Sequence, residues 1–250
     1  MKVTLLSLTA LIFVAAVCAK DVPNTTRQKE KDIMTSRSTV SQAVRPLAND
    51  HVTLYKSPDP KQISPYSPGI VRLDNGRIVA TIDLGGAGVS NLDGAKLEQG
   101  EMGHDWQGRV YTSDDGGESW QLRARYPFMH ARPFVAGDAV YVLGQADDLT
   151  IIRSDDNGET WGDPAKLTEG QRWHQAPCNV HYANGCIYLV MERRTSHDIK
   201  TWYVGEIAPI LMRARVDHDL TNPGSWSFAS ELSFRDRSEE HTSELQSLSH

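Results

Sequence analysis

An octad of turn-forming residues occurs twice in this chain and constrains its fold more than any other feature. Residues 113–120 read SDDGGESW and residues 154–161 read SDDNGETW, so both follow the pattern Ser-x-Asp-x-Gly-x-x-Trp. The two octads begin 41 residues apart. Because a period of about 40–45 residues is typical of repeated four-stranded units, the spacing predicts an array of small β-sheets.

The side chains of each octad suit a tight hairpin turn. Ser and Asp oxygens can bond turn amides, Gly can take a positive φ, and Trp can pack beside the sheet. The pattern positions are Ser113, Asp115, Gly117 and Trp120 in the first octad and Ser154, Asp156, Gly158 and Trp161 in the second. We therefore predict a structural role for these carboxylates, with catalysis or calcium binding as the alternative.

Short apolar runs separated by Gly, Asn and Asp begin at residue 51 and predict strands. They form three four-stranded units: 68–73, 77–84, 109–113 and 120–126; 133–135, 139–143, 149–154 and 162–167; and 177–182, 186–192, 210–216 and 226–232. The third unit has a degenerate octad at residues 216–219. Turns are expected at Asn75-Gly76, Gly137-Asp138 and Asn184-Gly185. Such meanders predict an all-β fold, a β-propeller of four-stranded blades.

The two ends of the chain differ from the part between them. Lys2 precedes an apolar run that ends at Val17, so residues 1–19 are expected to be a signal peptide of a secreted or periplasmic protein. A permanent anchor is the alternative, but the run is shorter than the roughly 20 residues that cross a bilayer. Residues 20–50 are polar and predict a flexible leader. Residues 237–247 resemble a translated sequencing adapter, so 237–250 are expected to be non-native, with a genuine polar tail as the alternative.

Charge and cysteine content exclude some functions. The formal net charge of −6 gives no basic surface for nucleic acid or for an anionic membrane. Cys178 and Cys186 remain after signal cleavage, and a turn at Asn184-Gly185 would place their sulfurs on opposite faces. We expect two free, buried thiols, with a disulfide as the alternative.

The octads and the four-stranded units together resemble the sialidase (neuraminidase) superfamily of Asp-box (BNR) propellers, over about residues 51–236. The resemblance implies six blades, of which about three are present here, with residues 52–56 as a strand that would close the ring. It implies a secreted exo-glycoside hydrolase that needs no cofactor, acts as a monomer and releases a terminal acidic sugar such as sialic acid. In that family a Tyr nucleophile is assisted by a Glu, an Asp is the acid/base, and three Arg bind the substrate carboxylate. The Tyr and the Glu are expected later than this chain extends.

The arginines of the family are carried over unevenly. The first Arg stands before the Pro of the innermost strand, where this chain reads Tyr66-Ser67-Pro68, so that Arg is missing. Either Arg132, before Pro133 of the next inner strand, takes over the anion contact, or the substrate is not sialic acid. Arg193 is a candidate second contact, with a solvated charge run at a strand end as the alternative.

The acid/base of the family lies in the loop before the first octad. The corresponding loop, residues 85–107, is rich in Gly and acidic residues. Asp105 is nearest to the family position, and Asp83 and Asp93 are the further candidates. The alternative is that the loop is a solvated rim.

Inner strands of a propeller start near its axis, so the residues before their prolines are expected to converge over one mouth of the channel. These residues are Tyr66, His130, Arg132, His174 and Gln175. His130 matches a family position that contacts the sugar, with a purely structural histidine as the alternative. The sequence has no zinc spacing, phosphate loop or Ser-His-Asp motif, and we expect no metal. Two functions remain: a glycoside hydrolase with a glycan substrate, and a non-catalytic propeller that binds carbohydrate or protein.

Overall fold

Three four-stranded antiparallel sheets follow one another along the chain. The computed structural model describes residues 50–100, 103–174, 180–199 and 204–229. The strands of the first sheet are β1 (Ser64–Arg72), β2 (Ile78–Gly85), β3 (Trp106–Ser113) and β4 (Gln121–Tyr126); those of the second are β5 (Met129–Ala136), β6 (Ala139–Ala146), β7 (Asp148–Ser154) and β8 (Ala165–Lys166); those of the third are β9 (His181–Ala183), β10 (Cys186–Arg194), β11 (Ile207–Arg215) and β12 (Trp226–Phe228). Short 3₁₀ segments occupy Ala87–Asn91, Val204–Glu206 and Pro223–Ser225.

Each sheet is a simple meander in which sequence neighbours pair, so the predicted all-β, propeller-type fold of four-stranded blades is confirmed. The predicted outer strand at 162–167 is shorter than expected. Pro164 has no N–H to donate to a ladder, and β8 begins only after it. The strand expected at 52–56 is absent from the described part of the chain, where these residues run without regular structure.

The predicted hairpin turns are present. Ala183 pairs with Cys186, and the two residues between them, Asn184 and Gly185, have φ values of 51° and 69°. Positive φ at both central positions matches the twist of the flanking strands. Cys186 is a free cysteine, as expected, but it is half-buried rather than buried. Cys178 lies outside the described residues.

The second sheet is covered on both faces. Val140, Val142 and Ile152 pack with residues of the first sheet in one apolar core. Phe134 and Tyr141 belong to a second core that continues into the third sheet. Two apolar faces explain why β6 and β7 are buried almost without alternation.

The first and third sheets differ from the second in how their faces are covered. In β11 buried and exposed residues alternate, and Leu211 is 44% exposed, so the third sheet is covered on one face within the described part of the chain. The first sheet is covered on its other face by Ile63, Leu54 and Tyr55, which pack with Ile82. The segment before β1 thus completes the core of the first sheet.

Both octads form the turns that their composition predicts, at the ends of β3 and β7. In the first, Ser113 Oγ accepts from the Gly117 amide at 2.8 Å and Asp115 Oδ1 accepts from the Ser119 amide at 2.9 Å. The second repeats this with equivalent residues: Ser154 Oγ accepts from Gly158 at 2.8 Å and Asp156 Oδ1 from Thr160 at 2.9 Å. In each octad the Trp indole donates to the Gly carbonyl, Trp120 to Gly117 and Trp161 to Gly158.

These hydrogen bonds hold the octad carboxylates in the ionised form. Hydrogen bonds from the Thr160 hydroxyl and amide lower the pKa of Asp156 to about 2, and bonds from Ser119 lower the pKa of Asp115 below its ordinary value. Ion pairs then join neighbouring octads. Arg77 contacts Asp114 of the first octad at 2.6 Å and Glu159 of the second at 2.7 Å. The octad end of the sheets is therefore a connected set of turns.

Gly108 of β3 illustrates how tightly the first sheet is packed. It lies opposite Asp83 on β2 and opposite Tyr126 on β4. The Tyr126 ring covers it so closely that a Cβ at residue 108 would lie 1.7 Å from Tyr126 Cε2. The missing side chain at residue 108 is what allows the Tyr126 ring to lie across the sheet.

We predict that Gly108→Ala destabilises the protein strongly, because a fully buried ring must move to admit the methyl group. Overpacking of this kind costs about 1–3 kcal/mol of unfolding free energy. Chemical denaturation measures the loss. The matched control is Gly162→Ala, where the nearest atom to the new Cβ is the Arg153 carbonyl oxygen at 3.6 Å; equal stability of the two variants would contradict the packing argument.

Candidate functional site

The inner strands β1 and β5 share an irregularity at the end opposite to the octads. The β1–β2 register shifts just before Gly69, and the β5–β6 register shifts just before Arg132. Ser67 and His130 lie inside these shifts with φ values of 45° and 55°. By register, His130 is the counterpart of Ser67 and Arg132 that of Gly69. The equivalence is thus offset by two residues from the one that Pro68 and Pro133 suggest.

Aromatic rings form a continuous chain across this end of the three sheets, which we call the mouth. The rings of Tyr66 and Trp106 are 5.1 Å apart, and those of Trp106 and His130 are 6.0 Å apart. His130 and His174 follow with ring centroids 5.2 Å apart in an edge-on arrangement. The predicted convergence of Tyr66, His130 and His174 is therefore present. Gln175, predicted with them, lies outside the described residues.

Each imidazole at the mouth is anchored through Nδ1. His130 Nδ1 lies 2.9 Å from Gln145 Nε2, and His174 Nδ1 lies 2.9 Å from Glu192 Oε2. Gln145 stands at the end of the second strand of its sheet, opposite Met129, and the Glu192 carbonyl accepts the His174 amide. The anchors fix the orientation of both rings.

Asp83 occupies the corresponding position in the first sheet, opposite Tyr66. Its side chain is buried, with 1% exposure. One oxygen accepts from the backbone amide of His130 in the neighbouring sheet, and the other accepts from the Tyr126 hydroxyl at 3.3 Å. Asp83 therefore connects the first sheet to the irregular start of β5.

The carboxyl of Asp83 is unusual in its proton affinity. Burial raises its pKa to about 7, although hydrogen bonds from the His130 amide, the Tyr126 hydroxyl and the Ala131 amide and the charge of Arg132 act in the opposite direction. Burial also raises the pKa of the Tyr126 hydroxyl well above its ordinary value. Asp83 thus changes charge near neutral pH.

Arg132 lies on the same side, half-buried. Its Nη1 donates to the carbonyls of Ser67, Pro68 and Ala131 at 3.5, 3.4 and 3.2 Å. The N–H groups on Nε and Nη2 make no hydrogen bond to any residue that the structure describes. One nitrogen therefore anchors the guanidinium, and the Nε–Nη2 edge retains its donors.

The two acidic loop candidates differ in their surroundings. Asp105 is half-buried, directly precedes Trp106, and accepts the Gln99 amide at 3.2 Å through one oxygen. Asp93 is exposed, and its backbone carbonyl accepts Gln107 Nε2 at 2.8 Å. Asp105 is thus the sequence neighbour of Trp106, one of the aromatic rings at the mouth, whereas the Asp93 side chain is exposed to solvent.

Arg193 directly follows Glu192 on β10 and pairs with Trp173 in an isolated bridge. Successive side chains of a strand point to opposite faces, so Arg193 and Glu192 diverge on β10. Arg193 lines a cleft of about 360 Å³ between the second and third sheets, together with Trp173, Ile210 and Phe228. Its role as a second contact for a substrate carboxylate stays a prediction.

A second buried carboxylate shapes the loop after β10. Glu206 has 0% exposure and accepts hydrogen bonds from Arg194 at 3.1 Å and from the amides of Asp198 and Ile199 at 2.9 and 2.8 Å. Burial alone would raise the pKa of Glu206, but these bonds outweigh it and the pKa is lowered. The loop is thus fastened to the end of β10.

Sequence reasoning missed Trp106, Gln145 and Glu192 as mouth residues. A signal was present: each second strand ends near a polar residue, namely Asp83, Gln145 or Glu192. Aligning the units on their second strands, rather than on the prolines of the inner strands, would have found these residues.

Within the described ranges no group of three or more His, Cys, Asp or Glu side chains is arranged to hold a metal ion. Nor does that part of the chain contain a helix of the length and apolarity needed to cross a membrane.

Comparison with known proteins yields only structural matches, since no protein-family model and no curated protein matches the chain. An α-L-arabinanase of Penicillium chrysogenum matches with a TM-score of 0.43 and 12% identity, over 68% of this chain and 49% of that chain. A sialidase of Streptococcus pneumoniae matches with a TM-score of 0.45 and 12% identity, over 68% of this chain and 39% of that chain. An α-L-arabinofuranosidase of Lactobacillus brevis matches with a TM-score of 0.45 and 15% identity, over 70% and 58%. The chain thus spans about half the length of the arabinanase.

The buried carboxyl predicts a distinctive pH dependence of stability. The pKa of Asp83 is raised from 3.8 to about 7, so its contribution to stability is complete below about pH 4 and is lost as the pH rises through 7. Between about pH 5 and pH 8 the free energy of unfolding of the wild type should fall by roughly 3 kcal/mol relative to that of Asp83→Asn.

Urea denaturation of both proteins at both pH values measures this difference. Asp138→Asn, in the exposed β5–β6 turn, is the matched control and should follow the wild type. If Asp83→Asn also runs parallel to the wild type, the carboxyl does not titrate in this range.

Proposed function

We propose that this protein is a secreted glycoside hydrolase of the sialidase type, which binds the terminal acidic sugar of a glycan at the mouth. The observation that carries the proposal is the Arg132 guanidinium, fastened by one nitrogen beside the ring chain. Its remaining edge offers two parallel N–H groups, the arrangement that a carboxylate accepts best.

The aromatic residues support a sugar as the ligand. Tyr66 is 43% exposed and packs against buried Trp106, so it presents a rigid apolar surface to the C–H face of a sugar ring. His130 and His174 add polar groups with fixed orientation beside it. Apolar surface with a few oriented polar groups is the usual lining of a small-ligand site.

We assign the proton donor to Asp105 rather than to Asp83 or Asp93, the two other candidates that the sequence offers. Asp105 has one oxygen on the Gln99 amide and adjoins Trp106, whereas the buried Asp83 carboxyl is engaged by backbone and Tyr126 donors. Asp93 is exposed and carries no such neighbour. A positioned acid of this kind contributes about 10²–10⁴-fold to rate. The Tyr nucleophile and its Glu belong, on this proposal, to sequence beyond this chain.

A second function is favoured by Tyr66 itself. An exposed tyrosine stands where the family has its first arginine, which suits a propeller that binds carbohydrate without cleaving it. The two functions share the mouth and differ in turnover. A monomeric protein outside the cell is compatible with either function. For either function, the extracellular location rests on the expected signal peptide at residues 1–19.

The test is release of a fluorescent aglycone by the full-length protein that carries this sequence. The panel comprises aryl glycosides of sialic acids, a deaminated sialic acid, uronic acids and neutral sugars. We expect release from an acidic sugar only. Release restricted to neutral sugars would contradict the role of Arg132, and binding without release, on folded protein, would support the non-catalytic function.

Removal of the guanidinium should weaken binding of the acidic sugar selectively. We expect Arg132→Ala to raise the Kd roughly 10- to 100-fold, because a hydrogen bond to a charged group contributes about 1.5–3 kcal/mol. Isothermal titration measures the change. Arg213→Ala removes the same charge from the exposed face of β11 and should leave the Kd unchanged; a similar effect of both variants would indicate only a general charge effect.

Replacement of the proposed acid separates turnover from binding. Asp105→Asn should lower kcat by about 10²–10⁴-fold with little change in KM, since the amide keeps the shape but donates no acidic proton. Asp93→Asn, in the same loop, is the control and should retain activity. Full activity of Asp105→Asn would transfer the role to another carboxyl.

A further inference from the structure

The backbone of His130 is in a conformation that histidine seldom adopts. Its φ of 55° lies in the left-handed region, where a side chain with a Cβ is crowded by its own carbonyl. Such a residue persists only when its surroundings hold it there, and such residues cluster at functional sites. His130 is 8% exposed and stands in the middle of the ring chain. Something other than its intrinsic preference must hold it.

The holding contact comes from the neighbouring sheet. The Asp83 carboxylate accepts the His130 amide, and Gln145 holds the His130 ring at 2.9 Å. Ser67, the counterpart of His130 in the first sheet, has a similar φ but contributes its carbonyl to Arg132. Of these two left-handed residues, only His130 has its amide on the Asp83 carboxylate.

Asp83 is too deeply buried to touch a ligand. With 1% exposure and oxygens bonded to His130 and Tyr126, it has no surface to offer a sugar. Gly108 on β3 lies opposite Asp83. Because Gly108 has no side chain, the Tyr126 hydroxyl can extend across β3 and reach the Asp83 carboxylate. A buried acid that is fully engaged acts through the groups it holds.

We propose that Asp83 is a positioning residue of the mouth, which fixes the left-handed backbone of His130 and thereby the placement of the His130 imidazole and the Arg132 guanidinium. The inference rests on the proposed function only for what the mouth binds. Arg132 follows His130 by two residues, so a change of backbone at His130 redirects both side chains. The contact sets their geometry before any ligand arrives.

The groups that face Asp83 determine how it responds to pH. Tyr66 lies opposite it on β1, the Tyr126 hydroxyl reaches it from β4, and β5 supplies the amides of His130 and Ala131 and the charge of Arg132. The ionised carboxylate accepts from these donors, whereas the protonated form must donate one O–H. The hold on the His130 amide is therefore strongest when Asp83 is ionised.

The first experiment needs no ligand. In amide NMR spectra of the full-length protein, the His130 resonance should move with pH around a midpoint of about 7, and this transition should be absent in Asp83→Asn. The Val142 amide, in the buried centre of β6, is the internal control and should show no such transition. A His130 resonance that titrates identically in wild type and Asp83→Asn would overturn the proposal.

The second experiment uses N-acetylneuraminic acid as the probe. Asp83→Ala, which lacks an acceptor, should raise its Kd about 10- to 100-fold through misplacement of the two side chains. Asp83→Asn keeps a carbonyl acceptor and should bind nearly as the wild type does, with less dependence on pH. Binding by Asp83→Ala equal to the wild type, or binding by Asp83→Asn as weak as that of Asp83→Ala, would contradict the positioning role.

The two experiments separate this inference from the proposed function. If the wild type binds no acidic sugar, the proposed function fails, but the His130 amide titration still decides the role of Asp83. If Asp83→Ala does not fold, the NMR comparison of the wild type with Asp83→Asn decides it alone.

Discussion

Burial of strands on both faces is the constraint on which the rest of this structure depends. The middle strands of the first two sheets are buried with little alternation, so each of these sheets has a partner on either side. The second sheet finds partners in its two neighbours. The first finds one in the second sheet and another in the segment around Ile63. Face-to-face stacking of meanders follows from this requirement.

The stacking of the sheets also determines where polar groups of different sheets can come into contact. Apolar side chains fill the space between the sheets, so the polar contacts between sheets that are described above lie at the ends of the strands. At one end the octad turns meet through ion pairs such as those of Arg77. At the other end inner strands start irregularly, and their side chains meet those that finish the second strands. The contact of Asp83 with the His130 amide is the clearest case, because it joins two sheets through a buried polar group.

Much of this was readable in the sequence. The octads, the hairpin glycines and the apolar runs are local signals, and the blades, turns and octad hydrogen bonds agree with them. The convergence of Tyr66, His130 and His174 followed from strand starts alone. The register was not predicted: Pro68 lies inside the irregularity of β1, whereas Pro133 lies after that of β5, so the two prolines are not equivalent, and no local pattern reveals this.

The contacts of the site residues could not be predicted from the sequence either, for a physical reason. Asp83 and Tyr126 are 43 residues apart in the chain, and their contact exists only because Gly108 lies between them in space. A glycine in a strand is ambiguous in sequence, since it equally indicates a bulge or a bend. Cross-strand contacts of this sort become visible only once the sheet is assembled.

The division between the two ends of the sheets bears on how such a protein tolerates sequence change. Octad residues are tied to one another and to their own turns, so replacement there disturbs the scaffold. At the other end each sheet contributes one polar residue, Asp83, Gln145 or Glu192, at the finish of its second strand. These positions lie outside the apolar cores, and each belongs to a separate repeat. A replacement at one of these positions therefore changes the end of a single sheet and leaves the octad turns in place, so the two ends of the sheets can change independently of each other.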